Sequence, residues 1–446
     1  MDNEFEEADE RWESEPTTDS SREFVVARQH DSRAHRYLHL PDEIIIQIVA
    51  HVAQGPCAQQ ALFTSCLLSR AWYDAAVEPL YRRPQLYGPN FDPFVRAICP
   101  SINLHVRKSP LAGLVKALDM SRLVHQGSKT VTARLLGRTK DVLEEFMAPR
   151  ASFSIHCFPA LAKCSKLRTL DLSLVSESPP LPDIFKSISR LTSLRSLKLP
   201  RSTGFGVHQK AASFDSCWPP QLVDLTLCGG IDAHFLHGVA SFPSTLRSLT
   251  IEHCPLARSA AVTHLLRTAV RPLQNLERFQ ISHMPRLSSH ALDDILVLLP
   301  QISHLSVSVD YLSPSVFDSA RYSNAFSKDP DSPVPLCQPH LRTLELTSTD
   351  YSTSISEENL APIDIIIALD EGTLPGLRRV RVARSLGWDS ADVAPDTEAL
   401  GDALQEGARR DWERKEWVFA DMTEEQYSKA AACWESVSGV WVFESA

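Results

Sequence analysis

The chain has 446 residues, 43% of them hydrophobic and 22% charged, with a formal net charge of −10. That length exceeds one ordinary hydrophobic core and points to several domains or a repeat array. The acidic balance argues against a nucleic-acid binder, which needs a basic footprint, and the longest apolar runs, Ile44 to Ala53 and Ile295 to Leu299, are too short to cross a bilayer.

The charge is unevenly placed. Eight acids lie between Asp2 and Glu15 against one base, Arg11, so this stretch carries −7. Residues 1–36 are predicted to be an acidic, disordered tail, because so few apolar side chains cannot offset the entropy of ordering. The first residues lack the basic and apolar character of a signal peptide. The ten cysteines are scattered, form no C-x-x-C pair, and have no zinc-knuckle spacing. No metal and no cofactor is expected. These features predict a protein of a reducing compartment, cytoplasm or nucleus.

Residues 37–84 read as a small helical module. Leu40-Pro41-Asp42-Glu43 leads into Ile44, Ile45, Ile46, Ile48, Val49 and Val52. Proline at the first turn with acids after it marks a helix start. Gly55-Pro56 breaks the chain. A second apolar stretch follows through Leu62, Phe63, Leu67, Leu68 and Trp72, and a third from Asp74 to Leu80. Two or three short helices are predicted. Such a unit has too much apolar surface for its size, so it docks on its own chain or binds a partner. A linker is expected over 85–110.

From 111 to 383 the chain repeats. The pattern L-x-x-L-x-L stands clearly at Leu167/Leu170/Leu172, Leu194/Leu197/Leu199, Leu222/Leu225/Leu227 and Leu246/Leu249/Ile251. Looser copies follow at Leu276/Phe279/Ile281, Ile302/Leu305/Val307, Leu341/Leu344/Leu346 and Leu377/Val380/Val382, and two weaker ones precede at Val115/Leu118/Met120 and Leu143/Phe146/Ala148. From Leu167 onward the first positions are 27, 28, 24, 30, 26, 39 and 36 residues apart. Each triplet predicts a strand that buries one face. Stacking equivalent strands in parallel joins those faces into one leucine column. The segments between them must cross back. Pro182–Ile188, Ala261–Ala269, Ala291–Leu299 and Ile363–Leu369 have helical spacing. The fold class is therefore α/β, a solenoid with a parallel concave ribbon and convex helices. The proline-rich and serine-rich stretch 311–340 reads as a loop insertion. Residues 384–446 read as a cap, with a substrate-contact role as the alternative, and with a helix near Thr423–Trp434 and a short strand at Val440–Phe443.

The residues that point outward from the predicted ribbon are the third and fifth of each hexamer. They carry four bases (Lys198, Arg278, Arg379, Arg381) and five acids (Asp119, Glu145, Asp171, Asp224, Glu345). An arginine also recurs at the second position: Arg168, Arg195, Arg247, Arg342 and Arg378. It offers either a ladder for an acidic ligand or a long stem covering apolar surface at the strand start; the mixed outer face favours the stem. Arg378, Arg379 and Arg381 form the local basic patch to test as a substrate face. No phosphate-binding loop, dinucleotide fingerprint, H-E-x-x-H or G-x-S-x-G is present, and no catalytic residue is assigned.

Leu40-Pro41-Asp42-Glu43-Ile44 with Ile48, then Leu67-Leu68-Ser69-Arg70-Ala71-Trp72 and Pro79-Leu80-Tyr81, resembles an F-box. An F-box ahead of leucine-rich repeats resembles the F-box/leucine-rich-repeat proteins of fungi. Cys254, three residues after Ile251, is similar to the cysteine-containing repeat subtype, though Val175, Ser202, Gly230 and Met284 depart from it. The family implies a substrate receptor of an SCF-type ubiquitin ligase. The F-box would bind a Skp-type adaptor and through it a cullin, and the repeats would hold a protein target. Carried over by position, the adaptor-facing residues are Leu40, Pro41, Ile44, Ile48, Leu68 and Trp72. Internal packing explains Ile48 and Leu68 equally well. The competing reading is a ligase-independent scaffold. It expects the N-terminal helices to pack on the first repeat near Val115, with Ile44 and Trp72 buried.

Overall fold

The computed structural model describes residues 40–101, 109–123, 128–177, 179–201, 218–318, 339–349, 360–413 and 437–444. The predicted acidic tail, the helix near 423–434 and the stretch 319–338 of the loop insertion lie outside these residues.

Three helices open the described chain: α1 (Asp42–Val52), α2 (Ala58–Ser65) and α3 (Arg70–Arg82). Pro41 precedes α1, and Asp42 and Glu43 fill its first turn, where carboxylates suit the helix dipole. Ser69 caps α3, its hydroxyl accepting from the Trp72 backbone N–H at 3.4 Å. Ile45 and Val49, one turn apart on α1, meet Leu62 of α2 and Ala76 and Leu80 of α3 in a small core. The module is seated on the repeats. Tyr81 packs against both cores and stacks on Phe94 with ring centroids 6.3 Å apart. Lys116 donates its backbone N–H to the Arg82 carbonyl at 3.0 Å.

Beyond them the described residues form one parallel sheet of eleven strands, paired strictly in chain order. The strands are β1 (Ala117–Asp119), β2 (Glu145–Met147), β3 (Thr169–Asp171), β4 (Ser196–Lys198), β5 (Asp224–Cys228) and β6 (Ser248–Glu252). They continue as β7 (Arg278–Ser282), β8 (His304–Ser308), β9 (Thr343–Thr347), β10 (Arg379–Ala383) and β11 (Gly439–Phe443). Each of the ten predicted triplets supplies one strand. Their fourth positions fall in register: Leu170 opposite Leu197, Leu197 opposite Leu225, Leu225 opposite Leu249 and Leu249 opposite Phe279. These side chains are buried in a single core. The strand expected near Val440 also forms, and it extends the ribbon as an eleventh rung beside β10.

Helices or single turns lie between strands, including Lys129–Thr139, Leu181–Ile188, Ser259–Leu265 and Pro362–Asp370. The helix expected over Ala291–Leu299 is cut to Ile295–Leu298. His290 holds a left-handed backbone with φ of 65°, which a right-handed helix cannot include. Asp293 is instead buried, accepting from the Ser313 N–H and hydroxyl, both at 2.8 Å. The helix Ala394–Glu413 was not read from sequence. It buries Leu400, Leu404 and Ala408, a stripe at four-residue spacing diluted by Gly401 and Gly407.

The second position of each triplet has a backbone role. The carbonyls of Arg168, Arg195, Arg247 and Arg342 each accept two successive N–H groups from the next rung. The carbonyls of Lys116, Glu144, Val223, Glu277 and Ser303 do the same, so this ladder belongs to the position and not to the arginine side chain.

Candidate protein-binding surfaces

The helical module leaves much of its apolar surface open. Leu40, Ile44, Ile46 and Ile48 at and on α1 are exposed, as are Phe63, Leu67, Leu68 and Tyr73. Ile44 and Ile48 sit one turn apart on the same side of α1, next to the stripe of Ile45 and Val49 that faces the core. Pro41 is exposed at the helix mouth. Leu68 is 62% exposed and Ile48 37%, so neither is consumed by internal packing. Trp72 is half-buried against the module's own core. Ile44, which the scaffold reading expects to be covered, is 40% exposed.

A pocket lies where module and ribbon meet, lined among others by Arg83, Gln85, Asp119, Arg122, Glu145 and Met147. Arg83 clamps Glu145 through both carboxylate oxygens, at 2.7 and 2.6 Å. Gln85 forms a parallel bridge to Asp119 and so begins a further rung on the outer edge of β1. These contacts fix the module at the N-terminal end of the concave face.

The concave face is polar, as a one-sided solenoid requires: its strands can bury only the leucine side. At the third and fifth positions its centre carries Thr226, Ser248, Thr250, Gln280, Ser306 and Thr343. Asp171 accepts from the Ser173 N–H and hydroxyl and stands 3.4 Å from the Lys198 ammonium. Arg379 and Arg381 are on this face, on β10. Arg381 pairs with Glu345 at 2.5 Å, and its guanidinium lies 4.9 Å from the Phe443 ring centroid. Arg379 donates to the Val437 carbonyl at 2.8 Å. Arg378 goes elsewhere. Strand alternation turns it away from Arg379 and Arg381, and its Nε and Nη2 both donate to Asp411 of the C-terminal helix.

Cys228 and Cys254 are fully buried, and burial pushes the Cys228 thiol up to about 12 and the Cys254 thiol higher still. Such thiols are poor nucleophiles. Cys254 Sγ donates to the Leu227 carbonyl one rung back at 3.7 Å, as a small packed hydrophobe does. Among the described residues no group of three or more His, Cys, Asp or Glu could hold a metal ion, and no helix is long and apolar enough to cross a membrane.

Sequence reasoning missed three left-handed turns just after adjacent strands. Gly229 follows β5 with φ of 79°, His253 follows β6 with 51° and His283 follows β7 with 53°. Histidine gives little sequence signal for that conformation, whereas Gly229-Gly230 could have flagged the first turn.

A parallel ribbon built from leucine triplets, with helices behind it and a three-helix module at its N-terminal end, defines a leucine-rich-repeat protein. No family model matches the chain. Two fungal proteins are similar to it over most of its length. Protein pof5 of Schizosaccharomyces pombe is 29% identical over 369 residues, covering 81% of this chain and 96% of that protein. F-box protein YDR306C of Saccharomyces cerevisiae is 31% identical over 343 residues, covering 75% of this chain and 66% of that protein, just under two thirds of its length. Among solved structures, an internalin (inlF) from Listeria monocytogenes aligns with 66% of this chain and 83% of its own, at 13% identity and a TM-score of 0.27. The chain is thus a homologue of a fungal F-box protein, and the resemblance read from its first helices and its repeats is borne out.

Proposed function

We infer that the chain is the substrate-recognition subunit of an SCF-type ubiquitin ligase. Leu40, Pro41, Ile44, Ile48, Leu68 and part of Trp72 bind a Skp-type adaptor, which joins the chain to a cullin. The repeat ribbon binds a protein target. For this reading the chain divides into an N-terminal tail (1–36), an F-box (37–84), a linker (85–110), repeats (111–383) and a C-terminal cap (384–446). The mechanism is proximity: one surface holds the ligase, another the target, and the chain supplies no reacting group. It needs no cofactor, membrane or nucleic acid, and works in the cytoplasm or nucleus.

The observation that carries this reading is the open apolar surface of so small a module, with Ile44, Ile48 and Leu68 exposed. Apolar area of that kind on a folded unit marks a partner site. The similarity to a protein named F-box protein supports it. The test is co-purification with a Skp-type adaptor, comparing wild type with Leu40→Ala/Pro41→Ala and with Ile44→Asp/Ile48→Asp. Recovery should fall at least about tenfold in each, as loss of two buried apolar anchors implies. Equal recovery, or none from wild type, removes the ligase role.

The ligase-independent scaffold keeps one observation in its favour. The module is seated on the first repeat through Tyr81 and the Lys116–Arg82 hydrogen bond, as that reading expects. The exposure of Ile44 counts against it.

A further inference from the structure

The two edges of the ribbon are finished differently. At the start, Gln85 bridges Asp119 with the helical module beside it, so the edge of β1 is covered. At the other end β11 is the last strand, and among the described residues it pairs only with β10. The Gly439 N–H donates to the Arg378 carbonyl at 3.0 Å. The parallel ladder then turns the N–H and C=O groups of Gly439, Trp441 and Phe443 toward β10. Those of Val440 and Val442 turn away from it, and no described residue bonds to them. An edge that presents such groups is a template for another strand, and natural edges are blunted with lysine, proline or a bulge. β11 contains neither residue, and its register with β10 runs unbroken through five pairs.

The apolar column is unfinished at the same place. Val380 and Val382 on β10 are 0% exposed, whereas Val440 and Val442, the next rung of the column, are only half-buried. On the concave side Trp441 is 37% exposed. The open edge therefore calls for an occupant with two features. Its backbone must be extended, with donors and acceptors two residues apart, and it must carry apolar side chains at that same spacing to cover Val440 and Val442. A second copy of this chain can offer its own β11. Two rigid solenoids touching along five residues, about 17 Å of strand, fall well short of the roughly 1,600 Å² that a stable pair buries. A flexible segment is not confined to the edge, because it can continue over Trp441 onto the concave face.

We propose that β11 is a strand-addition site, where an extended segment of a partner protein, with apolar residues two apart, pairs with the outer edge as a twelfth rung. The main chain of Val440 and Val442 supplies the hydrogen bonds, and their side chains, with Trp441, select the sequence. This is independent of whether the N-terminal module binds an adaptor.

The probe is the capped peptide acetyl-Lys-Val-Thr-Val-Thr-Val-Lys-amide, whose valines are two apart, added to the full chain with amide hydrogen exchange read residue by residue. In the free chain the Val440 and Val442 amides should exchange at least about tenfold faster than those of Trp441 and Phe443, which bond to β10. Saturating peptide should slow the Val440 and Val442 amides at least about tenfold and leave β5 and β6 unchanged. Val442→Pro removes an outward donor without touching a bond to β10, and it should weaken peptide binding at least about tenfold. The same peptide with proline for its central valine should bind as poorly. The exchange measurement on the wild-type chain needs no variant to fold. Outward amides already slow in the free monomer, outward amides slowed only as protein concentration rises (a second copy), or outward amides unmoved by the peptide overturn the proposal.

Discussion

The imidazole rings of His253 and His283 stack with centroids 4.3 Å apart and planes 22° apart, each ring carried on a left-handed backbone just past its strand. Burial, the Arg201 guanidinium and the His283 ring all push the His253 pKa down, with Glu252 opposing. The neutral form is therefore the one the fold prefers. Below about pH 6.5 the unfolded chain takes up a proton that the folded chain resists. Stability should hold above that pH and fall as pH drops toward the folded value. His304 acts in the same direction. The thermal midpoint should decline between about pH 7 and 5. His253→Asn, which tolerates the left-handed turn, should flatten that decline; an unchanged slope would show that the stack does not govern it.

Gly229 begins this series of turns and is irreplaceable for two reasons. Its φ of 79° suits residues without a Cβ, and a Cβ there would overlap the Arg201 carbonyl on the preceding rung. Gly229→Ala should cost about 3 kcal/mol or more. Denaturant unfolding at constant slope measures it, and a loss under about 1 kcal/mol would mean that the two rungs are not in this close approach.

The leucine column is tested by two neighbouring positions. Leu225→Ala removes a side chain buried to 1% exposure in the middle of the ribbon. It should cost about 2–5 kcal/mol through lost transfer energy and the cavity left behind. Thr250→Ala, one rung away on the outer face, should cost under about 0.5 kcal/mol. Equal effects would place both residues in the same environment, contrary to strand alternation.

Arg378 and Asp411 tether the C-terminal helix to the ribbon. Both Nε and Nη2 of Arg378 reach the same Asp411 oxygen, and the arginine side chain is only 16% exposed. Asp411→Asn should cost about 1–3 kcal/mol, because it leaves a largely buried guanidinium short of its counter-charge. Hydrogen exchange should speed up within Ala394–Glu413 and stay unchanged in β5 and β6. Faster exchange across the whole ribbon would show that the helix belongs to the same cooperative unit.

Local order was legible in the chain because a strand's alternation is written residue by residue. The triplets from Val115 to Val382 located ten of the eleven rungs, and the Pro41 start located α1; α3 begins at Arg70 and takes in Trp72, whereas the apolar pattern of the sequence runs its second stretch through Trp72 and begins the third at Asp74. The absence of a motif for catalysis and the F-box resemblance came from the same short-range patterns. What the sequence left open depends on which rungs become neighbours. Counted over the whole face, four bases and five acids look mixed; only pairing across intervals of 26 to 39 residues brings Arg278, His304, Glu345, Arg379 and Arg381 together on four adjacent strands. Arg378 and Arg379 are adjacent in sequence yet point to opposite sides, and the partner that claims Arg378 is 33 residues away. Exposure of Ile48 and Leu68 was likewise undecidable locally, since an apolar helix face packs equally well against its own chain or a partner's. Burial and charge pairing are set by what packs against a residue, and that is a property of the assembled solenoid.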